Sequence, residues 1–202
     1  MNGETAIIIV GQIRLDHKGA SREQEAQWEY LKQNTKPKNV YISTYEEYEK
    51  KAREISDNVI ILNKKVNVLD LLNLDNLSFN KSQNKSLFQY LHLTNIVKKY
   101  NEKLISYKNI IKTRNDVYFD LPKLIDNINS NSKNIHSHTD YTIGCESSLF
   151  LKMFYHNSFL DFIKKTWNKS HCNISLNCLN LLKTICENKT DSPQNLWENF
   201  KI

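Results

Sequence analysis

Asn109-Ile110-Ile111-Lys112-Thr113-Arg114-Asn115-Asp116-Val117-Tyr118-Phe119-Asp120 is a strand that runs into charge. Asn109 to Thr113 has the β-branched, apolar make-up of an interior strand. Arg114 and Asp116 follow two residues apart, so on an extended chain they point to the same side. A guanidinium and a carboxylate at the end of a core strand are either an ion pair that closes the strand or a ligand grip. In open α/β sheets the carboxyl ends of the strands form the crevice where ligands bind. There the arginine suits phosphate oxygens, and the acid suits a divalent metal or a ribose.

Outward from this stretch the pattern is that of an α/β protein. Thr5 to Val10 is a buried strand that ends in the turn Gly11-Gln12-Ile13-Arg14. Ser21-x-x-Gln24 is a capping box that opens a helix, and Pro37 blocks its continuation. Val40 to Ser43 is a second strand. Thr44-x-x-Glu47 is a further capping box, which predicts a helix to about Ile55. Val59 to Leu62 is a third strand. This β-α-β-α-β order predicts a mostly parallel sheet with helices packed on it. A short helix is expected near Leu69 to Leu74, within a loop region from Asn63 to Lys85. Ser86 to Lys99 is an amphipathic helix with Leu87, Tyr90, Leu91, Thr94 and Val97 on one face. Leu121-Pro122 begins a short helix.

Beyond Asn134 the alternation loosens. Ile135 falls in a short strand, and His136, His138 and Asp140 fall in a polar stretch. Ser148 to Met153 reads as a last strand. Helices are expected from Asn157 or Ser158 to Trp167, from Ile174 to Glu187 and from Ser192 to Phe200. No repeat or Gly/Pro linker divides the chain, so residues 1–202 are expected to form one domain.

Composition narrows the function. The net charge is +6, but the lysines are scattered and form no basic block, and there is no RNP, KH or zinc-finger pattern. Nucleic acid is therefore not an expected partner. Lysine is the default cation here, and the arginines are Arg14, Arg22, Arg53 and Arg114. Two of them sit at strand ends, where a planar fork is useful. Cys145, Cys172, Cys178 and Cys186 form no CxxC pair. Met1 to Val10 lacks a basic leader, and no apolar run is long enough to span a bilayer. The expected compartment is a cytoplasm, microbial or of a virus-infected cell, with peripheral membrane association left open.

Three motifs fall at the ends of successive strands: Ile9-Val10-Gly11-Gln12-Ile13-Arg14, Tyr41-Ile42-Ser43-Thr44 and Lys112-Thr113-Arg114-Asn115-Asp116. Their order resembles the GT-A class of nucleotide-sugar glycosyltransferases, and more narrowly the small enzymes that build lipopolysaccharide, capsule or viral capsid glycans. The resemblance covers roughly the first two-thirds of the chain. It implies a GT-A-like Rossmann-type central sheet flanked by helices, with a helical C-terminal region. Residues 1–120 would be the nucleotide-sugar half and residues 121–202 the acceptor half.

By the resemblance, Gly11 and Gln12 let the backbone approach the donor, and Arg14 faces its phosphates. Ser43 and Thr44 lie near base and ribose, with Tyr45 a stacking surface and Gln89 reaching the nucleotide from the long helix. Asp116 matches the last acid of the Asp-x-Asp motif, which holds a divalent metal, manganese or magnesium, across the diphosphate. Arg114 stands where the first acid usually is, so it neutralises diphosphate charge directly or leaves Asp116 to hold the ion alone. The donor implied is a nucleoside-diphosphate sugar, a UDP-sugar by preference, and the acceptor a glycan or glycoprotein. An inverting reaction also needs a base for the acceptor hydroxyl. Asp140 and Glu146 are the candidates, with Asp120 a third. His136 and His138, with Asp140, have the alternation of a metal cluster but read more simply as surface histidines. The alternative from another class is a non-catalytic Rossmann-like nucleotide- or phosphate-binding module. Neither Gly-x-Gly-x-x-Gly nor a Walker loop is present to favour it.

Overall fold

The computed structural model describes residues 5–13, 15, 22–63, 81–115, 117, 119–138, 142–154 and 197–199. Within them the protein is α/β, a mostly parallel sheet flanked by helices. The strands are β1 (Thr5–Val10), β2 (Val40–Tyr45), β3 (Asn58–Leu62), β4 (Asn109–Thr113), β5 (Ile135–His138), β6 (Thr142–Glu146) and β7 (Trp197–Asn199). Their order across the sheet is β3-β2-β1-β4-β6-β5-β7, and β6 runs antiparallel to β4 and β5. The α-helices are α1 (Arg22–Asn34), α2 (Glu49–Arg53), α3 (Lys81–Leu104), α4 (Leu121–Ser130) and α5 (Ser147–Phe154).

The alternation in β1 builds two cores. Ala6, Ile8 and Val10 face one layer with Tyr41, Ile110 and the buried residues of α3 and α5. Ile7 and Ile9 face the other with Val40, Ile42, Ile111 and residues of α1, α2 and α4. Burial on both faces is why β1 reads as an unbroken apolar run. The glycine of β6 serves the second layer. A Cβ on Gly144 would lie 2.7 Å from Ile128 Cδ1 and 3.3 Å from Ile111 Cγ1, so the missing side chain lets α4 sit close on the sheet.

Several expectations are corrected. Thr44 does not cap a helix. It lies within β2, which runs on to Tyr45, and its hydroxyl is taken by the backbone of Gly11. A 3₁₀ turn (Glu46–Tyr48) follows, and α2 spans only Glu49–Arg53. Ser148 to Met153 is not a strand but most of α5, with Phe150, Leu151 and Phe154 buried. The strand of this region is β6. Residues 197–199 are strand and not helix. His136 is buried within β5 and is not a surface residue. The short helix near Leu69 to Leu74 and the helices expected over 157–167 and 174–187 lie outside the described residues. Among the described residues no helix is long and apolar enough to cross a membrane.

Candidate functional site

The chain leaves β1 toward β2 and leaves β4 toward β5 and β6, so the two connections diverge at the carboxyl ends of adjacent strands. That is the topological switch point of an open sheet. The register brings the motifs level there. Val10 pairs with Ser43 on one side of β1, and Ile9 pairs with Thr113 on the other. Gly11 and Thr44 therefore follow in one row, Arg114 falls one residue short of it, level with Val10 and Ser43, and the ends of β2 and β4 are roughly 10 Å apart.

Gly11 is the fixed point of the row. Its φ of +99° is one that L side chains rarely adopt. Its N–H donates to the Ser43 carbonyl at 3.0 Å, and its carbonyl accepts from Thr44 Oγ1 at 2.7 Å. Both backbone groups of the glycine are thus tied to β2. A Cβ built there meets nothing within 4 Å among the described residues. A ligand can approach it closely.

Beneath this corner, Ser43 Oγ and His92 Nδ1 share a hydrogen bond of 2.7 Å, and both residues are fully buried. Burial pushes the His92 pKa down to about 4, so the imidazole is neutral near pH 7. The Tyr45 ring meets the His92 ring edge-on, with centroids 4.9 Å apart. Burial, and then Tyr48, raises the Tyr45 phenol pKa. His92 thereby clamps α3 to the end of β2. Gln89 lies one turn before it on the same helix and is half-buried, which puts it beside the corner.

On the other side of β1, Arg114 is half-buried just past β4. Lys112, two residues earlier, is buried to 3% exposure, an unusual burial for a lysine. Asn115 is also buried, and its Nδ2 has no hydrogen-bond partner among the described residues. Thr113 Oγ1 and Thr142 Oγ1 lie 3.1 Å apart and join the end of β4 to the start of β6. Arg14, Asp116 and Asp140 lie outside the described residues. His138 pairs with Thr142, whose hydroxyl bonds Thr113.

The structure brings Gly11, Gln12, Ser43, Thr44, Tyr45, Gln89 and Arg114 to one end of the sheet. It does not bring Glu146 there. Because β6 is antiparallel, Glu146 pairs with Asn109 at the opposite end of β4, and its Oε1 accepts from Ser148 Oγ at 2.9 Å. It is too remote to act as a base in this crevice. Asp120 is accounted for locally, since its Oδ1 accepts from Lys123 N at 3.0 Å and caps α4. Among the described residues no group of three His, Cys, Asp or Glu is placed to hold a metal. His92, Lys112 and Asn115 were not singled out for this role by sequence. The signal for His92 is its place three residues after Gln89 within the apolar face of α3. No family model, curated protein or solved structure matches the chain.

Proposed function

We propose that the protein is a glycosyltransferase of GT-A type. It moves a sugar from a nucleoside-diphosphate sugar, a UDP-sugar by preference, to a glycan or glycoprotein acceptor. One observation carries this reading: Gly11, whose backbone is held at positive φ, and Arg114 follow adjacent strands at the carboxyl end of the sheet, at its switch point. In this scheme the Gly11 backbone lies against the nucleotide, and the Arg114 guanidinium takes the diphosphate oxygens bidentately. Asp116 is the residue that would hold a divalent ion, which would share the diphosphate charge.

The bond from the anomeric carbon to the phosphate oxygen breaks, and the nucleoside diphosphate leaves with the electron pair. Fixed cations lower that barrier because they need not reorganise as charge develops. The acceptor hydroxyl oxygen attacks the anomeric carbon and gives its proton to a carboxylate. With Glu146 at the far end of the sheet, Asp140 is the candidate for this role.

Thermal shift with UDP, GDP, dTDP and NAD, with and without manganese, tests the donor class. Stabilisation by one nucleoside diphosphate, together with donor turnover, is the expected result. No shift with any of them would remove the reading. A shift without turnover under any acceptor condition would leave a binding module.

A further inference from the structure

At the opposite end of the sheet the surface has another chemistry. Tyr41, Tyr100 and Tyr107 form an edge-to-face cluster, with Tyr41 5.1 Å from Tyr100 and 6.2 Å from Tyr107 between centroids. The Tyr107 hydroxyl lies 3.2 Å from both the Lys38 carbonyl and Asn39 Oδ1, which ties the Lys36-Pro37-Lys38 turn to the loop before β4. Lys99 Nζ and Lys103 Nζ lie 5.3 Å and 5.7 Å from the Tyr100 ring centroid. Lys36, Lys38, Lys99, Lys103 and Lys108 are all exposed. Within this group stands Ile105, 62% exposed, the single exposed large hydrophobic among the described residues.

Folding explains part of this. Lys99 and Lys103 sit near the C-terminus of α3, where the helix dipole favours cations. It does not explain Lys36, Lys38 and Lys108, which belong to no α-helix, or Ile105, which gains nothing from water. Among the described residues the carboxylates at this end are the exposed Glu102 and Asp57 and the half-buried Glu146, so five lysines face three acids. An apolar tip between Lys103 and Lys108, on the same end of the sheet as three further exposed lysines, matches the layering of a bilayer interface. The apolar group enters the acyl boundary, and the ammonium groups meet lipid phosphates.

We propose that this pole docks the protein on a membrane surface rich in anionic lipid, with Ile105 inserted and Lys38 and Lys103 on the headgroups. Docked this way, the crevice at the other end of the strands points to the aqueous side. The proposal does not depend on the nucleotide-sugar reading, because the two surfaces share no residue.

The test is flotation of the full chain with vesicles of phosphatidylcholine alone or with about a third phosphatidylserine. Binding is expected only to the anionic vesicles, and it should weaken as salt rises. Lys38→Glu with Lys103→Glu should lower partitioning by at least roughly 25-fold, on about fivefold per lysine removed. Ile105→Ser should lower it several-fold. Lys50→Glu with Lys123→Glu changes net charge equally at other exposed positions and should retain binding. Equal loss in the two double variants would overturn the proposal, as would unchanged binding in the first. So would failure to bind anionic vesicles, or tighter binding to a single-stranded oligonucleotide at the same salt. The positions are all exposed, and an unchanged melting curve checks that each variant folds.

Discussion

The two ends of the same parallel strands have been put to different uses. At the carboxyl end the polar groups are buried and locked. Gly11 is tied through both backbone groups to β2, Ser43 and His92 are sealed from water, and Asn115 keeps a buried donor with no partner among the described residues. The amino end also buries polar groups, with Ser56 and Asn58 donating to the Val40 carbonyl, but its surface layer is tyrosine with lysines left in solvent. A locked polar end holds a defined geometry for one ligand, because every orphaned or strained group there costs free energy that packing must offset. A surface layer of exposed lysines suits a diffuse partner. Strand direction, and not position along the chain, sorts the two chemistries.

The largest effect that bears on this contrast is expected at the locked end. Under the proposed function, Asp116→Ala should lower sugar transfer by about 100-fold or more with an unchanged melting temperature, since it removes charge stabilisation. Full activity in that variant, measured as nucleoside diphosphate release, would take Asp116 out of the mechanism.

Next is His92. His92→Ala leaves Ser43 without its partner and opens a cavity, and should cost about 2–4 kcal/mol in chemical denaturation. The wild type should also lose stability in acid. The folded-state pKa is depressed to about 4 from 6.5, so the unfolded chain binds the proton first. The loss begins as pH falls through about 6.5 and is complete near about 4, roughly 3 kcal/mol in all. His92→Gln should flatten that slope. If the slope persists unchanged, another group is responsible.

Gly11→Ala should cost about 1–2 kcal/mol through its φ alone, although the space around it is open. At this chain length that is a melting shift of about 2–4 °C per kcal/mol. Ligand affinity should fall further than stability, because the new methyl occupies the approach to the backbone. A loss of stability with unchanged nucleotide binding would separate the glycine from the site.

The smallest effect belongs to the other end. Tyr107→Phe removes a half-buried hydroxyl and should cost about 1 kcal/mol, with no change in transfer rate. A change in transfer rate would mean that the two ends are coupled.

Much of the frame was legible from local pattern. The unbroken apolar runs of β1 and β4 and the helical period of α3 report burial directly. The three strand-end motifs converge because parallel strands present their carboxyl ends together. The misreadings have specific causes. Ser-Leu-Phe-Leu-Lys-Met is too short to show a period, and its burial against α3 decides for helix. Thr142-Ile143-Gly144-Cys145-Glu146 looks like a loop because glycine and glutamate are poor strand formers. Its glycine is there for the close approach of α4. Thr44 carries a good capping pattern, yet a tertiary partner, the Gly11 carbonyl, claims its hydroxyl first. Glu146 was misplaced because one antiparallel strand reverses which end a residue occupies. The Ser43–His92 bond joins residues 49 positions apart, and no local pattern announces such a bond.

The central position of β1 also bears on biosynthesis. One edge of that strand is satisfied when Val40 to Ser43 emerge, but the other must wait for Asn109 to Thr113. At ribosomal speeds of about 5–20 residues per second, the nascent Thr-Ala-Ile-Ile-Ile-Val segment spends roughly 5–20 seconds with one side unzipped. That interval is long against hairpin and collapse times. Holding this first strand out of aggregation while the next hundred residues are translated is then a task for chaperones at the ribosome exit.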